Sequence, residues 1–142
     1  MRGVAEYEKW VNDKTKEFVQ KLAEKGVELA SVSFAQAQYD GDNDVSVTWE
    51  DRGEFTRAVV ATGKATLFIE FGAGKTLGYG HPEPLQFGPG TYPGKGHWDD
   101  PNGWYYAHGK KTMGNPPSAS MYNARKELEE TFESTVREVF GS

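Results

Sequence analysis

Apolar side chains recur at every third or fourth position over residues 5–25 of the chain. This spacing places them on one face of a helix, while lysines and acids fill the other faces. Glycine is a common residue just beyond a helix end, and Gly26 stands there. The pattern therefore predicts an amphipathic helix over residues 5–25. Its apolar stripe is formed by Tyr7, Val11, Phe18 and Leu22, with Trp10 and Val19 beside it.

Between residues 27 and 71, apolar and polar residues alternate, as they do in strands that bury one face. Clusters of Asp, Gly and Asn, which favour turns, separate the alternating runs. Connections this short join antiparallel neighbours, because a parallel crossover needs about a dozen residues. The pattern predicts a four-stranded antiparallel β-meander, with strands at residues 27–37, 44–50, 55–62 and 65–71.

A second helical period runs from Met121 to Phe140. Two prolines precede it, and Ser118 or Ser120 can provide the N-terminal cap. Two helices that flank an antiparallel sheet define an α+β fold, with both apolar stripes packed on one face of the sheet. We expect one domain over residues 1–142.

The segment between the last predicted strand and the last helix, residues 72–117, has an unusual composition, and we call it the arm. It contains all seven prolines, all three histidines and eleven of the seventeen glycines of the chain. Disordered segments are poor in aromatic residues, whereas the arm holds seven, so we expect an ordered structure that contacts a partner. We expect the rings to pack on their own domain or on a neighbouring copy. The interface candidates are Tyr79, His81, Phe87, Tyr92, His97, Trp98, Trp104, Tyr105 and Tyr106.

Charge and composition exclude several classes of protein. The 142-residue chain has a net charge of −5, so it lacks the clustered cations of a protein that binds the DNA backbone. It contains no cysteine, which excludes disulfides, thiolate metal sites and a cysteine nucleophile. No segment approaches the ~20 apolar residues of a membrane span, and no signal-peptide run is present. We expect a soluble protein that is made and assembled inside a cell, with no membrane contact.

Two motifs suggest ligand sites and then depart from the required pattern. The sequence GAGKT at residues 72–76 is similar to a phosphate-binding loop, but Ile69 stands where the first glycine is needed and no helix follows. Asp40, Asp42 and Asp44 alternate as in a calcium loop, but Val45 replaces the required glycine. We expect no nucleotide or other cofactor, and we interpret the acidic run as a turn that leaves room only for a weak ion site.

The histidines of the arm provide two alternative hypotheses. Their spacing does not match the short ligand pairs of zinc sites, so we expect no metal site and no catalytic residues. A small metal-dependent hydrolase that uses His97, Asp99 and His108 remains an alternative. A glycan- or peptide-binding module that stacks its ligand on Trp98 and Trp104 is another.

Three segments carry a resemblance to a known family: FIEFGAG at residues 68–74, GHWDDPNGWYY at residues 96–106 and PPSASMYNA at residues 116–124. Members of the tail-completion family of long-tailed bacteriophages often end a strand with IEFG(T/A)G. They then begin a final helix after a motif of prolines and small residues. In the order of its predicted elements, the chain resembles this family over almost its whole length.

The resemblance implies a non-enzymatic structural protein of the phage neck, also described as a minor tail or head–tail connector protein. It implies a homo-oligomeric ring, commonly a hexamer, that completes the tail and joins it to the head. The implied partners are the tail-tube and head-connector proteins, and genomic DNA passes through the ring without specific binding. The implied location is the virion, after assembly in the cytoplasm of the bacterial host. The acidic balance suits such a conduit, because a negative lumen does not retain DNA.

Overall fold

One continuous helix, α1, forms the N-terminal part of the protein and spans Arg2–Ala35, 34 residues. The structure is a computed structural model that describes residues 2–74, 76–83, 102–106 and 109–141. Because α1 continues to Ala35, the predicted helix end at Gly26 and the predicted strand at residues 27–37 are wrong. Helical spacing continues through Ala23, Gly26, Ala30 and Phe34, which are all buried on one face.

Gly26 serves a close contact between elements instead of ending the helix. A Cβ atom at this position would lie 3.0 Å from the Cγ2 atom of Val59 and 3.2 Å from the Cδ1 atom of Leu128. The absence of a side chain lets two other elements approach the helix axis, which is a known use of glycine. The local helix-ending signal was thus overridden by tertiary packing.

Two of the predicted strands form a hairpin that lies on α1. Strand β1 (Ser46–Gly53) pairs antiparallel with β2 (Thr56–Thr62), with Val47 opposite Ala61 and Trp49 opposite Val59. Residues 51–53, which lie between two predicted strands and hold a turn-favouring Asp and Gly, belong to β1, where the register shifts between Asp51 and Gly53. Gly53 has a φ of +151°, which glycine tolerates, and the irregularity carries β1 to the actual turn at residues 54–55.

The predicted fourth strand is a short helix, α2, at Thr66–Phe71. The carboxylate of Asp44 accepts hydrogen bonds from the backbone N–H groups of Lys64 (2.7 Å) and Ala65 (2.9 Å), which stabilises the helix start. Ile69 and Glu70 are adjacent and both buried, which strand alternation does not predict. A short apolar run of this kind fits a buried helix as well as a strand.

The predicted four-stranded meander is therefore wrong, although the fold is α+β. The described residues contain two separate two-stranded sheets, β1–β2 and a short pair formed by β3 (Trp104–Tyr105) and β4 (Lys111–Thr112). They contain four helices, because the predicted last helix is divided at Thr131 into α3 (Ser120–Glu130) and α4 (Phe132–Phe140).

A small core joins α1, the hairpin, α2 and α3. Its centre consists of Ala30, Phe34, Ala65, Ile69 and Ala124. Beside it, α4 packs on the first half of α1, where Phe140 contacts Trp10 and Phe132 contacts Phe18. The predicted packing of both apolar stripes on one face of the sheet is therefore wrong, because α3 and α4 pack mainly on α1. None of the helices in the described ranges combines the length and the hydrophobicity needed to cross a membrane.

Candidate functional site

The arm is attached to the core by the buried carboxylate of Glu70, at the end of α2. Its Oε2 atom accepts a hydrogen bond from the backbone N–H of Met121 (2.8 Å), and its Oε1 atom accepts one from Tyr122 (3.1 Å). A carboxylate at a helix N-terminus satisfies unpaired N–H groups and opposes the positive end of the helix dipole. The predicted serine caps are wrong, because the α3 cap position is Ala119 and the capping group comes from another helix.

His81 connects the arm to the same carboxylate. Its Nε2 atom lies 3.1 Å from the Oε1 atom of Glu70, and its Nδ1 atom accepts a hydrogen bond from the backbone N–H of Glu83 (2.9 Å). Because Nδ1 accepts, Nε2 carries the hydrogen and donates to Glu70. The imidazole ring packs against Phe71 and Tyr122, with centroid distances of 4.4 and 5.8 Å. This interface candidate is therefore buried inside its own chain and holds the arm in place.

A second attachment point lies at Asp40, in the connection between α1 and β1. Its Oδ1 atom accepts hydrogen bonds from the hydroxyls of Tyr106 (2.7 Å) and Thr112 (2.9 Å). Burial, followed by the hydrogen bond to Asp40, raises the pKa of the Tyr106 phenol, so this hydroxyl remains a donor. The Tyr106 ring also meets the ring of Tyr39 edge-on at 6.3 Å.

The glycines of the phosphate-loop-like motif lie where two backbone segments of the chain approach closely. Ala73 exchanges two backbone hydrogen bonds of 2.9 Å with Asn115, so the two ends of the arm lie side by side. Gly74 has a φ of +96°, and a Cβ atom there would lie 2.7 Å from the carbonyl oxygen of Met113. The motif is therefore explained by close chain contact, and residues 76–83, the next described residues, contain no helix to bind a phosphate.

Apart from the buried His81, the described interface candidates are either exposed or partly buried. Tyr79 and Tyr105 are exposed, at 48% and 68% of their surface, whereas Trp104 and Tyr106 are partly buried. Four candidates, Phe87, Tyr92, His97 and Trp98, lie outside the described residues, as do Asp99, Asp100 and His108. Neither the metal-dependent hydrolase nor the Trp98–Trp104 platform can be placed on the structure.

A cavity of about 580 Å³ separates the Asp40 attachment from the core. Four aromatic side chains line it, together with two carboxylates, one ammonium group and one amide. Sequence reasoning anticipated Trp104 and Tyr106 but missed Tyr39 and Phe68, which belonged to a predicted turn region and a predicted strand. The lining residues are Tyr39, Asp42, Asp44, Lys64, Ala65, Phe68, Ala73, Trp104, Tyr106 and Asn115.

A second groove of about 610 Å³, lined by both apolar and charged residues, runs between β2, α2 and α3. Val59, Ala61 and Leu128 are among its apolar lining residues, and Glu70 and His81 lie at one end. Within the described ranges, no three His, Cys, Asp or Glu side chains are arranged to hold a metal ion.

Comparison with models of protein families, with curated proteins and with solved structures found no match to this chain.

Proposed function

We propose that this chain is a non-enzymatic structural subunit of a phage virion, which completes the tail and joins it to the head connector. It acts by assembling into a ring, commonly hexameric, and by contacting the tail-tube and head-connector proteins. The resemblance of residues 68–74, 96–106 and 116–124 to tail-completion proteins supports this proposal through sequence motifs alone, because residues 66–71 form helix α2 where the family's motif ends a strand. The structure adds support from the distribution of its apolar surface.

The observation that carries the proposal is the small number of large apolar side chains in the core. Among the described residues, the buried hydrophobic residues larger than alanine are Phe34, Ile69 and Val139. Eleven large hydrophobic residues in the same ranges are exposed. Single exposed hydrophobic residues are common on monomers, whereas adjacent ones, such as Tyr7 and Trp10, form the kind of patch that another protein covers. The eleven exposed residues are Val4, Tyr7, Trp10, Val32, Trp49, Phe55, Leu77, Tyr79, Tyr105, Met113 and Phe132.

The hairpin offers one such surface. No third strand in the described residues pairs with it, so β1 and β2 each present a free backbone edge. The edge of β1 is protected near its tip by the charged Glu50, Asp51 and Arg52, whereas residues 58–62 of β2 carry no charge. The second groove runs alongside β2. An uncharged strand edge beside a groove whose β2 wall is formed by Val59 and Ala61 is suited to accept a strand from another subunit.

The first turns of α1 offer a second surface. Residues 3–10 are all exposed, although they include Val4, Tyr7 and Trp10. Tyr7 stacks on Trp10 at 6.0 Å, and Trp10 meets Phe140 edge-on at 6.0 Å, so the rings form a preformed patch. A rigid aromatic patch loses little conformational entropy on binding, which favours its use as a contact.

The proposal is tested by co-elution of the purified protein with the tail-tube and head-connector proteins in gel filtration. We expect a complex with at least one of them. Tyr105→Ser and Trp10→Ser should each weaken that complex while leaving the thermal midpoint within a few degrees of the wild type, because both side chains are exposed. A matched control is Gln38→Ser, at an exposed polar position. Failure of the wild type to bind either protein at micromolar concentration would remove the proposal.

A further inference from the structure

The cavity beside the Asp40 attachment has walls of aromatic rings from three separate parts of the chain. Tyr39 follows α1, Phe68 lies on α2, and Trp104 and Tyr106 come from the arm. The rings of Tyr39 and Tyr106 are held edge-to-face by packing and by the bond from Tyr106 to Asp40. Its volume of about 580 Å³ lies within the ~300–1,000 Å³ range of small-ligand sites. The cavity is thus preformed and can hold a side chain of another molecule.

The charges of the wall favour a cation. Asp42 and Asp44 contribute two carboxylates, and Lys64 contributes one ammonium group on an exposed, flexible side chain. The backbone N–H groups of Ala65 and Lys64 lower the pKa of Asp44, so its carboxylate stays ionised at neutral pH. Within the described ranges the Asp42 carboxylate makes no hydrogen bond or ion pair, which leaves it available to a ligand.

Aromatic faces combined with a carboxylate are the chemistry that recognises organic cations. The faces attract a cation through their quadrupole, and the carboxylate supplies a direct ion pair. A guanidinium group suits such a site better than an ammonium group, because it is planar, stacks on rings and is less strongly hydrated.

We propose that this cavity receives a basic side chain, an arginine in preference to a lysine, from a protein that docks on this face of the chain. Trp104 and Tyr106 supply ring surface, and Asp42 supplies the ion pair. The proposal rests on the proposed function only for the identity of the docking protein, which would be a subunit of the same assembly. Binding of the cation itself is a property of the isolated chain.

The test is a titration of the full-length protein, labelled with ¹⁵N-tryptophan, with N-acetyl-arginine amide as the probe. Trp104→Phe assigns the indole N–H signal of Trp104 among those of the four tryptophans. We expect a saturable shift of that signal, and binding of the lysine analogue that is roughly two- to fivefold weaker. The neutral analogue N-acetyl-citrulline amide has nearly the same shape and should bind at least about tenfold more weakly.

Two variants connect the effect to the cavity wall. Asp42→Asn should weaken binding of the arginine probe about three- to tenfold, because it removes the free carboxylate and keeps the shape. Asp13→Asn, at an exposed acid on α1, is the matched control and should leave binding unchanged. Asp42 is exposed, so an unchanged thermal midpoint will show that the variant is folded.

Equal binding of the citrulline and arginine probes, or a Trp104 signal that does not move, would overturn the proposal. The outcome is separable from that of the proposed function. If the arginine probe binds and no assembly forms, the cation site stands and the proposed function fails. If assembly forms and the arginine probe does not bind, the proposed function stands and the cation site fails.

Discussion

Replacement of Glu70 by glutamine isolates the contribution of the group that fastens the arm and α3 to α2. Glu70 is 5% exposed, and its carboxylate interacts with two backbone N–H groups and with the Nε2–H group of His81. Glutamine has almost the same shape but only one acceptor oxygen. If that oxygen faces Tyr122 and His81, the amide group faces the N–H of Met121, so two donors oppose each other.

The loss of stability expected from Glu70→Gln has two parts. An unsatisfied buried N–H group costs about 1–3 kcal/mol, and loss of the negative charge at the start of α3 costs about 0.3–1 kcal/mol, or up to about 2 when buried. We therefore expect Glu70→Gln to lower the free energy of unfolding by about 2–4 kcal/mol. Urea denaturation followed by circular dichroism measures this change, with the slope of the transition unchanged. Glu129→Gln, at a 70% exposed side chain on α3, is the matched control and should change stability by less than about 0.5 kcal/mol.

The same variant should loosen the arm, because His81 loses its charged partner. Limited proteolysis at Tyr79 or Leu77 should become faster in Glu70→Gln than in the control at a temperature where both are folded. If Glu70→Gln unfolds within 0.5 kcal/mol of the wild type and is cleaved at the same rate, the role assigned to this carboxylate is refuted.

Three further predictions follow from other contacts. The pKa of Asp44 is lowered in the folded protein, so its stabilising contribution is complete above its unfolded pKa of ~3.9 and is lost as the pH falls below that value. Urea titrations at each pH between 5 and 2 should therefore show that the stability of Asp44→Asn depends less on pH than that of the wild type. Gly26→Leu should lower the free energy of unfolding by about 1–3 kcal/mol through overpacking. Gly3→Leu, at a position with no atom within 4 Å, should be neutral or stabilising. Equal effects of the two variants in thermal denaturation would contradict the close-contact role of Gly26. Val60→Lys, on the uncharged β2 edge, should reduce subunit association in light scattering without lowering the thermal midpoint by more than a few degrees. The control Gln38→Lys should leave association unchanged. If Val60→Lys associates as the wild type does, the β2 edge is not part of the interface.

Sequence periodicity predicted the parts of the fold whose pattern is long or bounded by turns. The helix over residues 5–25 and the antiparallel pairing of two strands are confirmed, with strand bounds that differ by up to three residues. The apolar stripe is only partly buried, because Tyr7 and Trp10 are exposed. The secondary-structure prediction failed where one sequence feature is compatible with two structures. Gly26 is a helix-ending residue by local preference, but the approach of Val59 and Leu128 gives it another use.

Residues 65–71 show why short segments are ambiguous. Their apolar run fits a strand, and the turn that leads into the helix is held by a carboxylate twenty residues earlier, on Asp44, which no local window contains. The candidate site was only partly predictable for the same reason. Aromatic enrichment identified Trp104 and Tyr106, whereas the residues that position them, Asp40 and Tyr39, come from a segment that was interpreted as a turn.

The most direct test of the proposed role is the particle mass of the purified protein, measured by native mass spectrometry alone and with the tail-tube protein. Subunits with so few large buried side chains should associate, and we expect a closed ring whose mass is a whole multiple of the 15.8 kDa chain, sixfold for a hexamer. A protein that remains monomeric at all concentrations, both alone and with the tail-tube and head-connector proteins, would contradict the account.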